Sequence, residues 1–170
     1  MTTIFNNRLT PKQLKYGSFI DPVTEDPIEF QKLTVTHLEG VKKYWFLKTP
    51  RYRLEHAICY IDPKGGRWDV PGSTRNEDDS WNEDGFVFNG GSVPFIFWPV
   101  CSPDQPDAFA AFAVHDFLCT KPHPCGFKKA AWVFFCAMRA NGYYALGALR
   151  NWAGVRLFGP RFKEDYDAKA

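Results

Sequence analysis

The chain has 170 residues, of which 45% are hydrophobic and 24% charged, and this length is enough to bury about two-thirds of the unfolded surface in one core. Its 21 basic and 19 acidic residues give a net charge of +2. No basic run is present, so the sequence lacks the electrostatic signature of a domain that binds nucleic acid or an anionic membrane directly. The high aromatic content, 17%, serves either a dense core or contacts between subunits.

The start of the chain and its cysteines bear on localisation. Residues 1–10 are polar and no apolar run is long enough to cross a bilayer, so we expect no secretion signal and no transmembrane segment, with synthesis in the cytoplasm. The odd number of cysteines, without repeated spacing, indicates free buried thiols rather than a secreted disulfide framework. They are Cys59, Cys101, Cys119, Cys125 and Cys136.

The first part of the chain lacks a regular hydrophobic period. Residues 1–28 are interrupted by Pro11, Gly17, Pro22 and Pro27, which predicts an extended N-terminal arm that wraps a partner.

Short β-favouring runs follow the arm. Leu33, Val35 and His37 alternate with polar residues, and further runs lie at 44–47 and 54–60, which predicts antiparallel sheet. The tetrapeptide at 63–66, Pro-Lys-Gly-Gly, is typical of a tight turn between two strands.

The second half changes to a helical period. Asp104 or Asp107 is positioned to cap a first helix that ends before Pro122. A second helix is predicted from Phe127 to Ala140, with Asn141-Gly142 as its C-terminal stop, and a third from Tyr143 to about Phe158. Strands followed by helices predict an α+β fold, in which N-terminal antiparallel β-hairpins or a small sheet precede three C-terminal helices. We expect one domain over residues 29–160, with 161–170 as a C-terminal tail.

One segment, Ala-Val-His-Asp-Phe-Leu-Cys at 113–119, places an imidazole beside a carboxylate in an apolar run. Burial of either group costs free energy unless the group is hydrogen-bonded, paired or bound to a metal. His115 and Asp116 are therefore the leading candidates for a functional site, or else for a satisfied structural pair.

Three blocks in order suggest a family. The stretch Gly-Phe-Val-Phe-Asn-Gly-Gly-Ser-Val-Pro at 85–94, the segment 113–118 and the helix at 130–138 together resemble a family of unknown function, DUF1353, common in tailed phages and prophages. The resemblance runs from about Leu33 to Gly159. It implies a phage-encoded protein, but the family has no settled activity.

The pattern is also similar to the two-helix core of small phospholipases A2. That similarity implies His115 as general base, Asp116 as a calcium ligand, and the turn Asn89-Gly90-Gly91 as a source of further calcium ligands. The chain departs from the pattern at two positions, where Asn89 and Ala131 replace aspartates. Without those carboxylates, the base lacks its orienting partner and the cation site loses charge. We therefore interpret the site as degenerate, with His115 and Asp116 either capping strand ends or bonding the glycine turn in a structural network.

Other arrangements around the same segment remain open. His115, Cys119, His123 and Cys125 carry nitrogen and sulfur ligands that suit a tetrahedral zinc site, although their spacing matches no recurrent zinc module. A disulfide between Cys119 and Cys125 is an alternative. A third is nucleophilic catalysis by Cys119 or Cys136 with His115 as base.

The function most consistent with these features is a structural protein of the virion, in the tail, baseplate or neck, on a hydrolase-like scaffold without a required cofactor. Its expected partners are other phage structural proteins, with homo-oligomerisation as an alternative, and the third helix is the expected contact surface. Two alternatives remain: a metal-dependent hydrolase of host envelope lipid or peptidoglycan that uses His115 as general base, and an accessory protein that binds a host target.

Overall fold

The computed structural model describes residues 10–44, 47–77, 80, 82–89, 105–120 and 125–159. Within these ranges, the chain folds as a mixed α+β protein with two antiparallel sheets and three C-terminal helices, as the sequence predicted. In chain order the elements are α1 (Pro11–Tyr16), β1 (Ser18–Ile20), β2 (Pro27–Ile28), β3 (Val35–Tyr44), β4 (Leu47–Leu54), β5 (Ile58–Ile61), β6 (Arg67–Val70), β7 (Val87–Phe88), α2 (Pro106–Leu118), α3 (Phe127–Ala140) and α4 (Ala145–Phe158). None of the helices in these ranges has the length and hydropathy needed to cross a bilayer.

The extended arm predicted for residues 1–28 is wrong over residues 10–28. Thr10 begins α1 with a capping box, in which its side chain and that of Gln13 each accept a hydrogen bond from the other residue's amide. The chain then forms β1, an interior strand of the four-stranded sheet β2-β1-β5-β6. Pro11 occupies the first turn of α1 and Pro27 an edge strand, positions where proline is tolerated.

The turn predicted at residues 63–66 is confirmed. It joins β5 and β6, which pair with Ile61 opposite Arg67, and Gly65 adopts a positive φ of 80° that only glycine takes at low cost. Asp62 precedes the turn and is 2% exposed. Its carboxylate accepts three hydrogen bonds, from the amides of Lys64 (2.7 Å) and Gly66 (3.1 Å) and from the indole Nε1 of Trp68 (3.1 Å).

The second sheet has the order β3-β4-β7. The run at 44–47 is not one strand, because Tyr44 pairs with Leu47 and the chain reverses between them; residues 45 and 46 lie outside the described part. Pro50 falls within β4 opposite an irregularity between Leu38 and Val41. A β-bulge of this kind accommodates a residue that cannot donate a ladder hydrogen bond.

The three C-terminal helices lie close to their expected positions. The observed α3 coincides with the predicted span, and Gly142 follows it with a φ of 96°. The structure corrects the predicted cap of α2: its N-cap is Gln105, and Asp107 lies inside the first turn, where its charge favours the positive end of the helix dipole. Asp104 lies outside the described residues.

Small side chains are abundant on α2 and α3, which pack against each other. Seven alanines on these two helices are at most 1% exposed. The alanines are Ala108, Ala110, Ala111, Ala113, Ala130, Ala131 and Ala137. Larger side chains fill the remaining space, with the rings of Phe112 and Phe134 5.1 Å apart. A polar side chain placed in this contact is therefore removed from water.

Loss of the Asp62 carboxylate is expected to destabilise the fold. In the Asp62→Ala variant, two amides and one indole N–H lose a buried acceptor, so the free energy of unfolding should fall by about 2–3 kcal/mol. Urea denaturation followed by circular dichroism measures the change. Asp69→Ala, which removes an exposed carboxylate of the same hairpin, should cost less than about 1 kcal/mol. Equal losses in the two variants would contradict the role given to Asp62.

Candidate functional site

His115 lies near the C-terminal end of α2, on the side that faces α3. Its side chain is almost fully buried, with 3% of the residue exposed. The imidazole ring packs against the ring of Phe134 on α3, with the two centroids 5.0 Å apart. The apolar period of α2 and the alanine contact with α3 thus carry an ionisable group into the core.

Asp116 follows His115 on the helix and makes two different contacts. Its Oδ1 lies 3.6 Å from His115 Nδ1, longer than a normal hydrogen bond, because neighbouring residues on a helix point in different directions. Its Oδ2 accepts a hydrogen bond of 3.0 Å from the backbone amide of Asn89, the residue after β7. Asp116 therefore ties the start of the glycine turn to α2, as the structural-network interpretation requires.

Cys119 lies on the other side of the imidazole, one helical turn after His115. Its Sγ is 3.7 Å from His115 Nε2. Burial alone would lower the pKa of His115, but the contacts with Asp116 and Cys119 outweigh it and raise this pKa to about 9. At neutral pH the ring is consequently protonated, and both of its nitrogens are donors.

The neighbouring helix α3 offers no acid to His115. Residues 127–140 contain neither Asp nor Glu, and Ala131, fully buried, lies one turn before Phe134. Among the described residues, Asp116 is the carboxylate that comes within 4.0 Å of a ring nitrogen. A protonated imidazole cannot accept a proton from water, so this arrangement does not equip His115 as a general base at neutral pH.

The residues predicted to bind metals are brought together only in part. For calcium, Asp116 and Asn89 are in contact, whereas Gly90 and Gly91 lie outside the described residues. For zinc, His115 and Cys119 are in contact, and His123 lies outside. Over the described ranges, no group of three or more His, Cys, Asp and Glu side chains is arranged to hold a metal ion.

The cysteines of the described part are free thiols. Cys119 and Cys125 do not form the disulfide considered from the sequence. Burial raises the pKa of Cys136 to about 12 and that of Cys125 to about 11, so both remain protonated at neutral pH. This disfavours Cys136 as a nucleophile, because the thiolate is the reactive form.

Asp62 and Asn141 are buried polar residues whose contacts lie outside the predicted site. The place of Asp62 directly before a Pro-Lys-Gly-Gly turn is a signal for a side chain that accepts from turn amides. Asn141 was read as a helix stop, and it is also fully buried. Its side chain accepts from the amide of Gln31 at 2.6 Å and donates to the carbonyls of Gln31 (3.2 Å) and Asp107 (3.1 Å). No local signal reveals bonds that join distant segments.

Comparison with known proteins gives a family without an activity. The model of a family described as "Protein of unknown function (DUF1353)" matches residues 52–155, more than half of the chain. The uncharacterized protein y4jT of Sinorhizobium fredii is 28% identical over 113 residues, which are 65% of this chain and 30% of that relative. The chain therefore spans less than a third of that relative's length. No solved structure matches the chain significantly.

The raised pKa of His115 predicts a pH-dependent stability. Because the pKa is about 9 in the folded protein and 6.5 ordinarily, the stabilisation is fully present below pH 6.5 and lost as the pH rises through 9. The free energy of unfolding should fall by about 3 kcal/mol between pH 6 and 9. Urea titrations at pH values across this window measure it.

The variant His115→Gln should flatten this dependence, and His37→Gln, which changes an exposed histidine, should leave it intact. The window ends at pH 9 because the buried thiols add their own loss of stability above that pH. If the wild type and His115→Gln lose stability in parallel, the raised pKa of His115 is refuted.

Proposed function

Because the chain belongs to the DUF1353 family of proteins of unknown function, its role must be inferred from its own residues, and we propose a non-catalytic structural protein of a tailed-phage particle. It would belong to the tail, baseplate or neck of the particle. Its fold would be hydrolase-like, with a His–Asp pair that serves packing instead of catalysis. The single observation that carries the proposal is the environment of His115, which is buried against the ring of Phe134 and has no orienting acid on α3 among the described residues.

The electrostatics of the pair argue against hydrolysis. A general base should have a pKa near the working pH, so that it is free to take a proton from water. His115 has a pKa of about 9, and one carboxylate oxygen of Asp116 is occupied by the amide of Asn89. Both groups are engaged in holding α2 against its neighbours, which is a structural use.

The face of α4 that points to solvent supplies a surface for assembly. Leu146, Leu149 and Leu157 are 78%, 51% and 62% exposed and fall on one side of the helix, opposite the buried Ala148 and Asn151. Isolated exposed leucines are common, but several on one helical face are typical of a contact with another protein. We refer to these three leucines as the α4 face.

Residues 145–158 contain two cations, Arg150 and Arg156, and no acidic residue. Both are half-buried, and the guanidinium of Arg156 lies over the ring of Phe127, 5.2 Å from its centroid. The exposed leucines are therefore the part of α4 that is open to a partner, and we assign the α4 face to an apolar surface of another protein of the particle.

Mass spectrometry of purified particles tests the proposal. A structural protein should be present at a fixed copy number relative to the other virion proteins, whereas a host-directed accessory protein would be absent from washed particles. Absence from the particles would therefore overturn the structural role.

Incorporation should depend on the α4 face. The double variant Leu146→Glu/Leu157→Glu places charges in an apolar contact and should reduce the amount incorporated by more than about tenfold. Val23→Glu changes another exposed apolar residue, 87% exposed, and should be incorporated normally. If both variants enter particles at the wild-type level, the α4 face is not the contact.

The hydrolase alternative has its own measurement. Calcium-dependent turnover of phospholipid vesicles or of purified peptidoglycan by the wild-type protein, abolished in a folded His115→Ala variant, would contradict the non-catalytic assignment. We expect no turnover above the buffer blank at pH 7.

A further inference from the structure

An open cavity lies between the three-stranded sheet and the N-terminal end of α2. Its volume is about 390 Å³, within the range of about 300–1,000 Å³ that is typical of ligand sites. The walls include side chains from the segment before β3, from β3 and β4, and from α2. Six of them matter here: Phe30, Lys32, Val35, His37, Tyr52 and Phe109.

The aromatic side chains of the cavity form a fixed corner. The ring of Tyr52 meets the ring of His37 edge-on at 4.8 Å between centroids and that of Phe109 at 4.9 Å. Phe88 packs behind both, 5.7 Å from Tyr52 and 5.2 Å from Phe109. Tyr52 is 5% exposed, so a ligand would meet part of its ring together with the half-buried Phe109 and the exposed His37. Offset or edge-to-face contacts with these rings are favourable for a flat aromatic molecule.

Two basic side chains line the cavity. They are Lys32 and His37, both solvent-exposed, and no carboxylate is among the lining residues in the described part of the chain. The apolar interior and the basic rim complement a molecule with an apolar ring at one end and an acidic group at the other.

A buried amide fixes the two walls in place. Asn141 bonds both backbone groups of Gln31, which lies between Phe30 and Lys32, and the carbonyl of Asp107 in the first turn of α2. These three bonds join the segment before β3 to the first turn of α2. The cavity is thus preorganised, and a ligand does not have to order it.

We propose that this cavity binds a small flat aromatic carboxylic acid, with the ring against Tyr52 and Phe109 and the carboxylate toward Lys32. The assignment is independent of the α4 face and of His115, since none of those residues lines the cavity. It gives the protein a small-molecule site in addition to its proposed structural role.

A matched pair of probes tests the assignment on the full chain. 2-Naphthoate and its neutral analogue 2-naphthalenemethanol share the ring system and differ in charge. We expect saturable binding of 2-naphthoate by isothermal titration calorimetry, with the alcohol at least about threefold weaker. Equal affinities of the two probes, or no saturable binding of naphthoate by the folded protein, would overturn the proposal.

Two variants locate the binding. Lys32→Met should weaken naphthoate about threefold to fivefold and leave the alcohol unchanged, while Lys128→Met, which removes an exposed positive charge elsewhere, should change neither. Val35→Trp fills the cavity and should abolish binding of both probes in protein whose circular dichroism spectrum is native. Lys32 is exposed, so Lys32→Met should fold normally. It therefore tests the site even if Val35→Trp does not fold. Unchanged naphthoate affinity in Lys32→Met, or binding retained in folded Val35→Trp, places the probes elsewhere and refutes the site.

Discussion

The close contact between α2 and α3 is the constraint on which the rest of the structure depends. Both helices carry buried alanines, and Phe112, Phe134 and His115 are at most 3% exposed. His115 lies in this contact, and its proton is retained through Asp116 and Cys119 rather than released to solvent. The packing that stabilises the domain is therefore also what sets the charge of its most conspicuous ionisable group.

The sequence predicted the elements whose signal is local. Both ends of the helix at 127–140 could be predicted because its apolar period stops at an Asn-Gly pair. The β5–β6 turn could be predicted because the tetrapeptide Pro-Lys-Gly-Gly strongly favours a tight turn. The N-terminal strands were missed. With three and two residues, β1 and β2 are too short to show a period, and they exist because distant partners supply their hydrogen bonds.

The sequence identified the ionisable residues of the candidate site, but it predicted few of their contacts. The absence of an acid on α3 could be read directly from Ala131 and its neighbours, and the bond from Asn89 to Asp116 follows the proposed network with the glycine turn. The raised pKa of His115 also depends on the Cys119 thiol. The sequence does not show how close this thiol lies to the ring. The aromatic cavity was missed altogether, since its walls come from three separate stretches that meet only in the folded chain.

The position of β1 bears on which residues are needed to complete the four-stranded sheet. This strand lies between β2 and β5, inside its sheet, yet the family match begins only at residue 52. A fragment trimmed to the matched region would expose the β5 backbone along one side and leave Tyr60 without the ring of Phe19 beside it. The family match therefore leaves out a strand of this chain that covers the edge of β5, and an uncovered strand edge is prone to pair with other chains.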